Sequence, residues 1–373
     1  NSQKLFGYAY NHEKMKGLRD LFMGARTLYA YRLNSGGEKA TSIYATAKYS
    51  GTRGNDLKIV IQANVDEETK FDVSTYLDTT LVDIQTVSSS AELTDNEYVT
   101  FLGDAILELT ASTPLTGGTN STVDGASYQS YLDKIESYTY NIMAVDTTEE
   151  TIKKLYVAFV KRLREEFGIK FQLVVHNSSA DYMGVINVKN KTMDIGYSES
   201  SLVYWVAGAE AGCEVNKSCQ NKKYDGEFTV DTNYTQNQLI EAIKAGEFVL
   251  HRVNADIRVL EDINSMVTTS EEQGDIFKEN QVIRVIDQLG NDDAVLFNEK
   301  YLGAVPNDDA GRTALWSDLK QIREALQTLG AIENFDEENL TVEQGENKKS
   351  VVVTGVIEVV VAMGKLYMTN VIK

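Results

Sequence analysis

The sequence predicts a multi-domain α/β plus β protein, and three changes of texture along its 373 residues carry that reading. Residues 34–118 show short, evenly spaced strand patterns with almost no helical period. Residues 119–265 alternate strands with amphipathic helices, and residues 266–373 run two long helices into a strand-rich end. The length agrees, since one domain per 150 residues or so gives two to three domains, each large enough to bury a core without disulfide or metal staples.

Residues 1–33 read as the start of the α/β core. Met15, Leu18, Leu21 and Phe22 mark one face of a helix, Gly24 follows it, and Arg26–Leu33 is rich enough in aromatic and aliphatic residues for a strand. The β region then places strands at Ile43–Tyr49, Leu57–Ala63, Phe71–Leu77, Leu81–Val87, Tyr98–Leu102 and Ile106–Ala111. Ile59, Ile61 and Ala63 alternate with Lys58, Val60 and Gln62, and turn residues such as Ser50-Gly51 and Asp95-Asn96 punctuate the runs. Such spacing builds a β-sandwich or a barrel. Ser112–Thr122, rich in Thr, Ser and Gly, is the clearest linker.

Tyr140–Val145 is the first strand of the α/β region. Thr147 and Glu150 form a capping box opening a helix whose core face is Ile152, Leu155/Tyr156, Phe159, Leu163 and Phe167, closed by Gly168. Lys170–Val175 follows, and strand–helix–strand at this spacing implies a parallel sheet. Gly184–Val188 is a further strand. Ser200/Ser201 cap a helix over Leu202–Gly212 whose many small residues imply very close neighbours. Thr235 and Gln238 cap another helix ending at Gly246, and Phe248–Asn254 and Ile257–Glu261 read as strands. In the last third, Asp275–Leu289 is a helix with Ile276, Val282, Ile283 and Ile286 inward and Gly290 behind it. Asp308/Asp309 precede a helix through Leu315, Leu319, Ile322, Leu326 and Leu329 to Gly330, and strands follow at Leu340–Gln344, Ser350–Val361 and Lys365–Ile372.

Composition narrows the function. With 55 acidic against 36 basic residues the net charge is −19, which disfavours nucleic acid and anionic membrane surfaces as partners, because both need a basic footprint. A 24% charged and 42% hydrophobic chain is not acidic disorder, and only 2 prolines exclude proline-rich linkers. The longest apolar run, Val356–Met363, is interrupted by Glu358 and is far short of a membrane span. The first residues lack a signal-peptide pattern and an initiator Met, so the chain reads as a fragment trimmed at its N-terminus. Two cysteines cannot staple so long a chain, and synthesis in a reducing compartment follows.

Candidate sites are few. Asp146, His176 and Ser201 occur in the order of a hydrolytic triad, two of them at strand ends, but no Gly-x-Ser-x-Gly elbow is present. Order alone is weak among so many Ser and Asp residues, and no catalytic residue is assigned. Cys213 and Cys219, spaced C-x5-C without a His within ten residues, do not make a zinc pattern, so neither metal nor cofactor is expected. Gly51-Thr-Arg-Gly-Asn55 lacks the Lys-Ser/Thr and the following helix of a phosphate loop. Asp292-Asp293 and Asp308-Asp309 do not match a Ca²⁺ loop, and the second pair suits a helix N-terminus. The terminal run Leu366, Tyr367, Met368, Thr369, Asn370, Val371 and Ile372 is apolar on both faces. Two readings stand: it pairs with Val351–Val361 in its own domain, or it is donated to a neighbouring subunit as an assembly strand.

The last hundred residues resemble a known family. Asn280-Gln-Val-Ile-Arg-Val-Ile-Asp-Gln-Leu-Gly-Asn291, Phe297–Asn307, Gly311-Arg312, Leu315-Trp-Ser317, Leu329–Phe335 and Val342–Gly345 are similar to contractile tail sheath proteins of myophages and phage-tail-like bacteriocins. Tyr49–Asn55 with Leu57–Ala63 resembles the β-sandwich segment of Firmicute-type sheaths, and Lys4–Tyr8 with Leu28–Leu33 also fits. The resemblance implies a β-sandwich domain, a subtilisin-like α/β domain without a catalytic triad, and a C-terminal α+β domain. It implies a structural protein and no enzyme: stacked hexameric rings around a tail tube, anchored at a baseplate in the virion tail, assembled in the host bacterial cytoplasm. It also implies an N-terminal arm preceding the residues present here. The rival readings are an α/β hydrolase with an appended β domain and a secreted surface or adhesin module.

Overall fold

The computed structural model describes residues 2–371 and opens with two short helices, α1 (Ser2–Phe6) and α2 (Lys16–Phe22). The chain divides into two units. One contains α1 and Tyr29–Tyr138, and the other contains α2 and the chain from Thr139 onward.

The first unit carries β1 (Ala45–Ala47), β2 (Leu57–Ala63), β3 (Phe71–Leu77), β4 (Thr80–Val87), β5 (Val99–Phe101) and β6 (Thr110–Pro114), and ends with helix α3 (Gly125–Ile135). Strands β4-β3-β2-β6 form one antiparallel sheet and β1-β5 a second. The period-2 alternation of β2 buries Leu57, Ile59 and Ile61. These meet Val73 and Leu77 of β3 and Ala45, Val99 and Phe101 of the small sheet in one apolar core, a sandwich arrangement.

Three expectations in this unit are corrected. The strand at Ile43–Tyr49 shrinks to Ala45–Ala47, because the Ser42 hydroxyl accepts from the Tyr44 and Ala45 amides and turns the chain there. The strand expected at Ile106–Ala111 lies at Thr110–Pro114, running into what reads as linker, and leaves Ile106 and Leu109 exposed. Pro114 is tolerated because β6 is a sheet edge, with β2 as its one neighbour. Arg26–Leu33 forms no strand. It is the crossing from one unit to the other, anchored by side chains in place of a ladder: Leu28 joins the core of the second unit, while Tyr29 stacks on Tyr138 at 4.9 Å and Tyr31 on Tyr131 at 5.9 Å in the first.

In the second unit β7 (Ile142–Val145), α4 (Glu150–Glu166), β8 (Gln172–His176), β9 (Val185–Val188), α5 (Val203–Ala211), α6 (Gln236–Lys244) and β10 (Glu247–Phe248) build a four-stranded sheet ordered β10-β9-β8-β7. All its pairings are parallel, as the strand–helix–strand spacing requires. Every residue of β8 and β9 is buried, as for central strands covered on both faces. The expected strand Phe248–Asn254 breaks at Val249 into β10 and β11 (Leu250–Val253), and β11 pairs with β12 (Asp256–Val259) around Asn254, whose φ of 55° suits a tight turn.

Helix ends show where local chemistry is readable. Gly168 (φ 71°) closes α4, and Thr235 with Gln238 forms the reciprocal box at α6. Thr147 does not cap α4. Its hydroxyl accepts from the Glu149 amide, and the helix starts one residue later. The small residues of α5 meet their expected close neighbour, α2: a Cβ on Gly208 would lie 2.3 Å from the Leu21 carbonyl oxygen, and one on Gly24 would lie 2.0 Å from that of Gly208.

The C-terminal third holds α7 (Asn280–Leu296), α8 (Asp309–Leu329), β13 (Ile332–Glu333), β14 (Thr341–Gln344), β15 (Val351–Thr354) and β16 (Glu358–Val359). Helix α7 does not stop at Gly290. Gln288 donates to Asp292 across that glycine, and Asp293 takes a two-pronged ion pair from Arg323 of α8, so the turn beyond it is held in helical register. Ile276 is exposed, in a short 3-10 turn before α7. Asp308 caps α8 by accepting from the Gly311 amide at 2.8 Å, and Gly330 (φ 76°) ends it. The expected strand Ser350–Val361 is split between β15, which pairs with β14, and β16, which pairs with β13.

Candidate functional site

The residues in triad order do come near one another, without the geometry of a triad. The Asp146 carboxylate accepts one hydrogen bond from the Ser200 hydroxyl at 2.5 Å and one from Ser201 at 2.9 Å. These serines therefore do not cap α5, whose first turn has no side-chain cap. A working triad needs His between the acid and the Ser, holding the hydroxyl proton. Here the acid binds the hydroxyls directly, both serines are fully buried, and His176 Nε2 has no hydrogen-bond partner. Burial holds the His176 imidazole below its ordinary pKa, and hence neutral. The cluster ties β7 to the start of α5 and presents no nucleophile.

The glycine loop is a 3-10 turn, Thr52–Asp56, introduced by Gly51 at φ 123°, and Asn55 locks it by exchanging two hydrogen bonds with Gly118. Asp293, Asp308 and Asp309 are committed to Arg323, the α8 cap and Arg312 respectively.

The richest polar constellation is the face of α7 that runs through Asn280, Arg284 and Asp287, a helical i, i+4, i+7 series flanked by Gln281. Asn280 accepts from Gln172 of β8 at 3.0 Å and donates to Asp262 at 2.9 Å. Arg284 donates to Glu210 of α5 at 2.5 Å and to the Lys217 carbonyl at 2.7 Å. Asp287 receives both prongs of Arg164 from α4, at 2.6 and 2.7 Å, in a buried pair. Gln281 holds the outgoing chain, donating to the Val360 carbonyl and accepting from the Ala362 amide. Burial, then Asp262, pushes the Glu210 carboxyl well above the ordinary range, whereas Arg284 opposes that shift. Four side chains of one helix thus bolt it to six other segments. The sequence pattern reads Val282 and Ile283 as inward, and both are buried, but the buried amides and charges beside them go unread.

Beyond the Gln281 contacts, no strand is assigned from Val360 to Val371. Leu366, Tyr367, Met368 and Val371 are each more than 70% exposed, and the ladder to Val351–Val361 is not formed. Thr369 and Asn370 are exposed with them, and Ile372 lies outside the described residues. Among the described residues no helix is long and apolar enough to cross a membrane.

Three family models match the chain in succession: the phage tail sheath protein beta-sandwich domain over residues 26–120, the phage tail sheath protein central domain over 121–265, and the phage tail sheath C-terminal domain over 272–373. The phage-like element PBSX protein XkdK of Bacillus subtilis is 32% identical over 98% of this chain and 86% of its own length. The crystal structure of the sheath tail protein of Desulfitobacterium hafniense superposes with a TM-score of 0.84 at 35% identity, covering 96% of this chain and 91% of that one. The helical sheath of the anti-feeding prophage in its contracted state gives a TM-score of 0.52 at 15% identity, over 68% of this chain and 78% of that one, a likeness of fold alone.

Proposed function

The chain belongs to the phage tail sheath protein family and is a structural sheath subunit, and we propose that its copies stack as hexameric rings around a tail tube. The stack contracts to drive the tube through a cell envelope, with the folds moving as rigid bodies. Its partners are further copies of itself, the tube protein and the baseplate, and its place is the virion tail, after assembly in the host bacterial cytoplasm. The parallel sheet with its helices is the subtilisin-like domain of that subunit, and it carries no catalysis. An esterase and protease screen checks this point, and turnover that disappears in Ser201→Ala would overturn it.

The observation that carries the assembly reading is the exposed apolar run Leu366–Val371, which has no ladder partner among the described residues. Such a segment adds to the sheet of a neighbour, main-chain hydrogen bonds supplying strength and alternate side chains setting register. Leu366, Met368 and Asn370 fall on one face, Tyr367, Thr369 and Val371 on the other. In the full-length protein, Thr369→Pro removes one donor from the ladder and abolishes tubes in electron micrographs while the melting temperature holds. Normal tubes from that variant would reject the assembly strand. A collapsed melting temperature would place the strand inside its own domain.

A further inference from the structure

At the junction of α5, the loop behind it and the segment after β12, three side chains of metal-binding type converge. A carboxylate oxygen of Glu210, the Sγ of Cys219 and a carboxylate oxygen of Asp262 all lie within 4.8 Å of one another, and all three residues are buried. We propose that Glu210, Cys219 and Asp262 form a binding site for a divalent transition-metal cation of the zinc class.

Four observations carry this. First, Glu210 Oε1 has no hydrogen-bond partner although the residue is 2% exposed, while Arg284 holds Oε2 at 2.5 Å. A buried carboxylate oxygen left without a partner is costly and therefore rare. Second, Asp262 is pre-oriented: its Oδ2 accepts from the Ser218 hydroxyl at 2.9 Å and the Cys219 amide at 2.8 Å, and its Oδ1 accepts from Asn280 at 2.9 Å. Metal-ligating carboxylates are characteristically fixed by such outer contacts. Third, the charges close. Two carboxylates and one thiolate carry three negative charges, Arg284 supplies one positive charge, and a dication supplies the remaining two. Fourth, a thiolate with two carboxylates is a borderline donor set, which selects zinc-like ions over Mg²⁺ or Ca²⁺.

Bond lengths of about 2.0 Å to oxygen and 2.3 Å to sulfur require the three donors to draw in by roughly 1 Å on binding. The Cys219 thiol and the buried Glu210 carboxyl, whose proton burial makes harder to lose, both give their protons to solvent as the metal bonds form. C-x5-C spacing conceals such a site because the carboxylates arrive from Glu210 and from Asp262, far along the chain.

The test uses the full chain purified without chelators. Titration with Zn²⁺ gives one saturable equivalent and raises the melting temperature, and titration with Co²⁺ gives a thiolate-to-cobalt charge-transfer band. The band disappears in Cys219→Ser, and Glu210→Gln, which keeps the side-chain volume, weakens Zn²⁺ binding more than tenfold. Absence of the cobalt band from the unsubstituted chain overturns the proposal whether or not either variant folds. So does a band of full strength in folded Cys219→Ser, or unchanged Zn²⁺ affinity in Glu210→Gln.

Discussion

In the sandwich unit, Ile59, Ile61, Val73 and Leu77 fill a core by alternation along paired strands. Along α7, Asn280, Gln281, Arg284 and Asp287 each grip a different segment by directed hydrogen bonds. Apolar contacts are non-directional, so the first region asks for the right volume in the right period. Buried polar contacts are directional and penalise any unmatched partner, so the second asks for particular atoms in particular places. The first region should therefore tolerate shape-conserving substitution and the second should not.

The largest effect is expected where the seam is cut on one side. Arg164→Met leaves Asp287 buried without its counter-ion and should lower unfolding free energy by about 3–5 kcal/mol in denaturant melts. The double variant Arg164→Met, Asp287→Leu removes both charges and should recover much of that loss. If the double variant is as unstable as the single, the seam is held by packing and the comparison fails. Next, Ile59→Ala should cost about 3 kcal/mol through the cavity it opens, whereas Ile59→Val should cost only about 1 kcal/mol. A smaller effect belongs to the α8 cap: Asp308→Ala leaves the Gly311 amide without its acceptor, for about 1 kcal/mol.

The last effect is in pH. Burial pushes Asp20 up from 3.8 to about 6, against hydrogen bonds from the Glu227 amide and the Tyr224 hydroxyl. The folded chain thus holds this proton more tightly than the unfolded one. Its contribution to stability is full below about pH 4 and is lost as pH rises through about 6. The melting temperature should fall between pH 5 and pH 7.5, and Asp20→Asn should flatten that slope.

The same contrast explains what the sequence discloses. Period-2 alternation marked β2 and β3 to the residue, and the Thr235–Gln238 and Asp308 caps were legible because their chemistry is local. Thr147 misled because a hydroxyl two residues early satisfies the same amide-rich turn without starting a helix. Gly290 misled because a distant Arg323 overrides a local stop signal. The α7 seam was legible only as a family resemblance. The partners of Asn280, Arg284 and Asp287 lie at 172, 262, 210 and 164, and no spacing rule links them. The terminal run was legible as apolar and β-prone, but where it would pair was not, because pairing with another chain leaves no signature within this one.

The grip of Gln281 on Val360 and Ala362 fixes the point from which the terminal segment departs. Between that anchor and the proposed strand lie three residues, Met363–Lys365. At about 3.3 Å per residue, such a leash spans only about 10 Å. If its end is sewn into the sheet of a neighbour, that length bounds how far two linked subunits can separate in any state of the sheath. Both arrangements, extended and contracted, must then keep anchor and receiving sheet within one such span. On the assembly reading proposed above, the stroke of the machine would be capped by the same segment that keeps its links from parting.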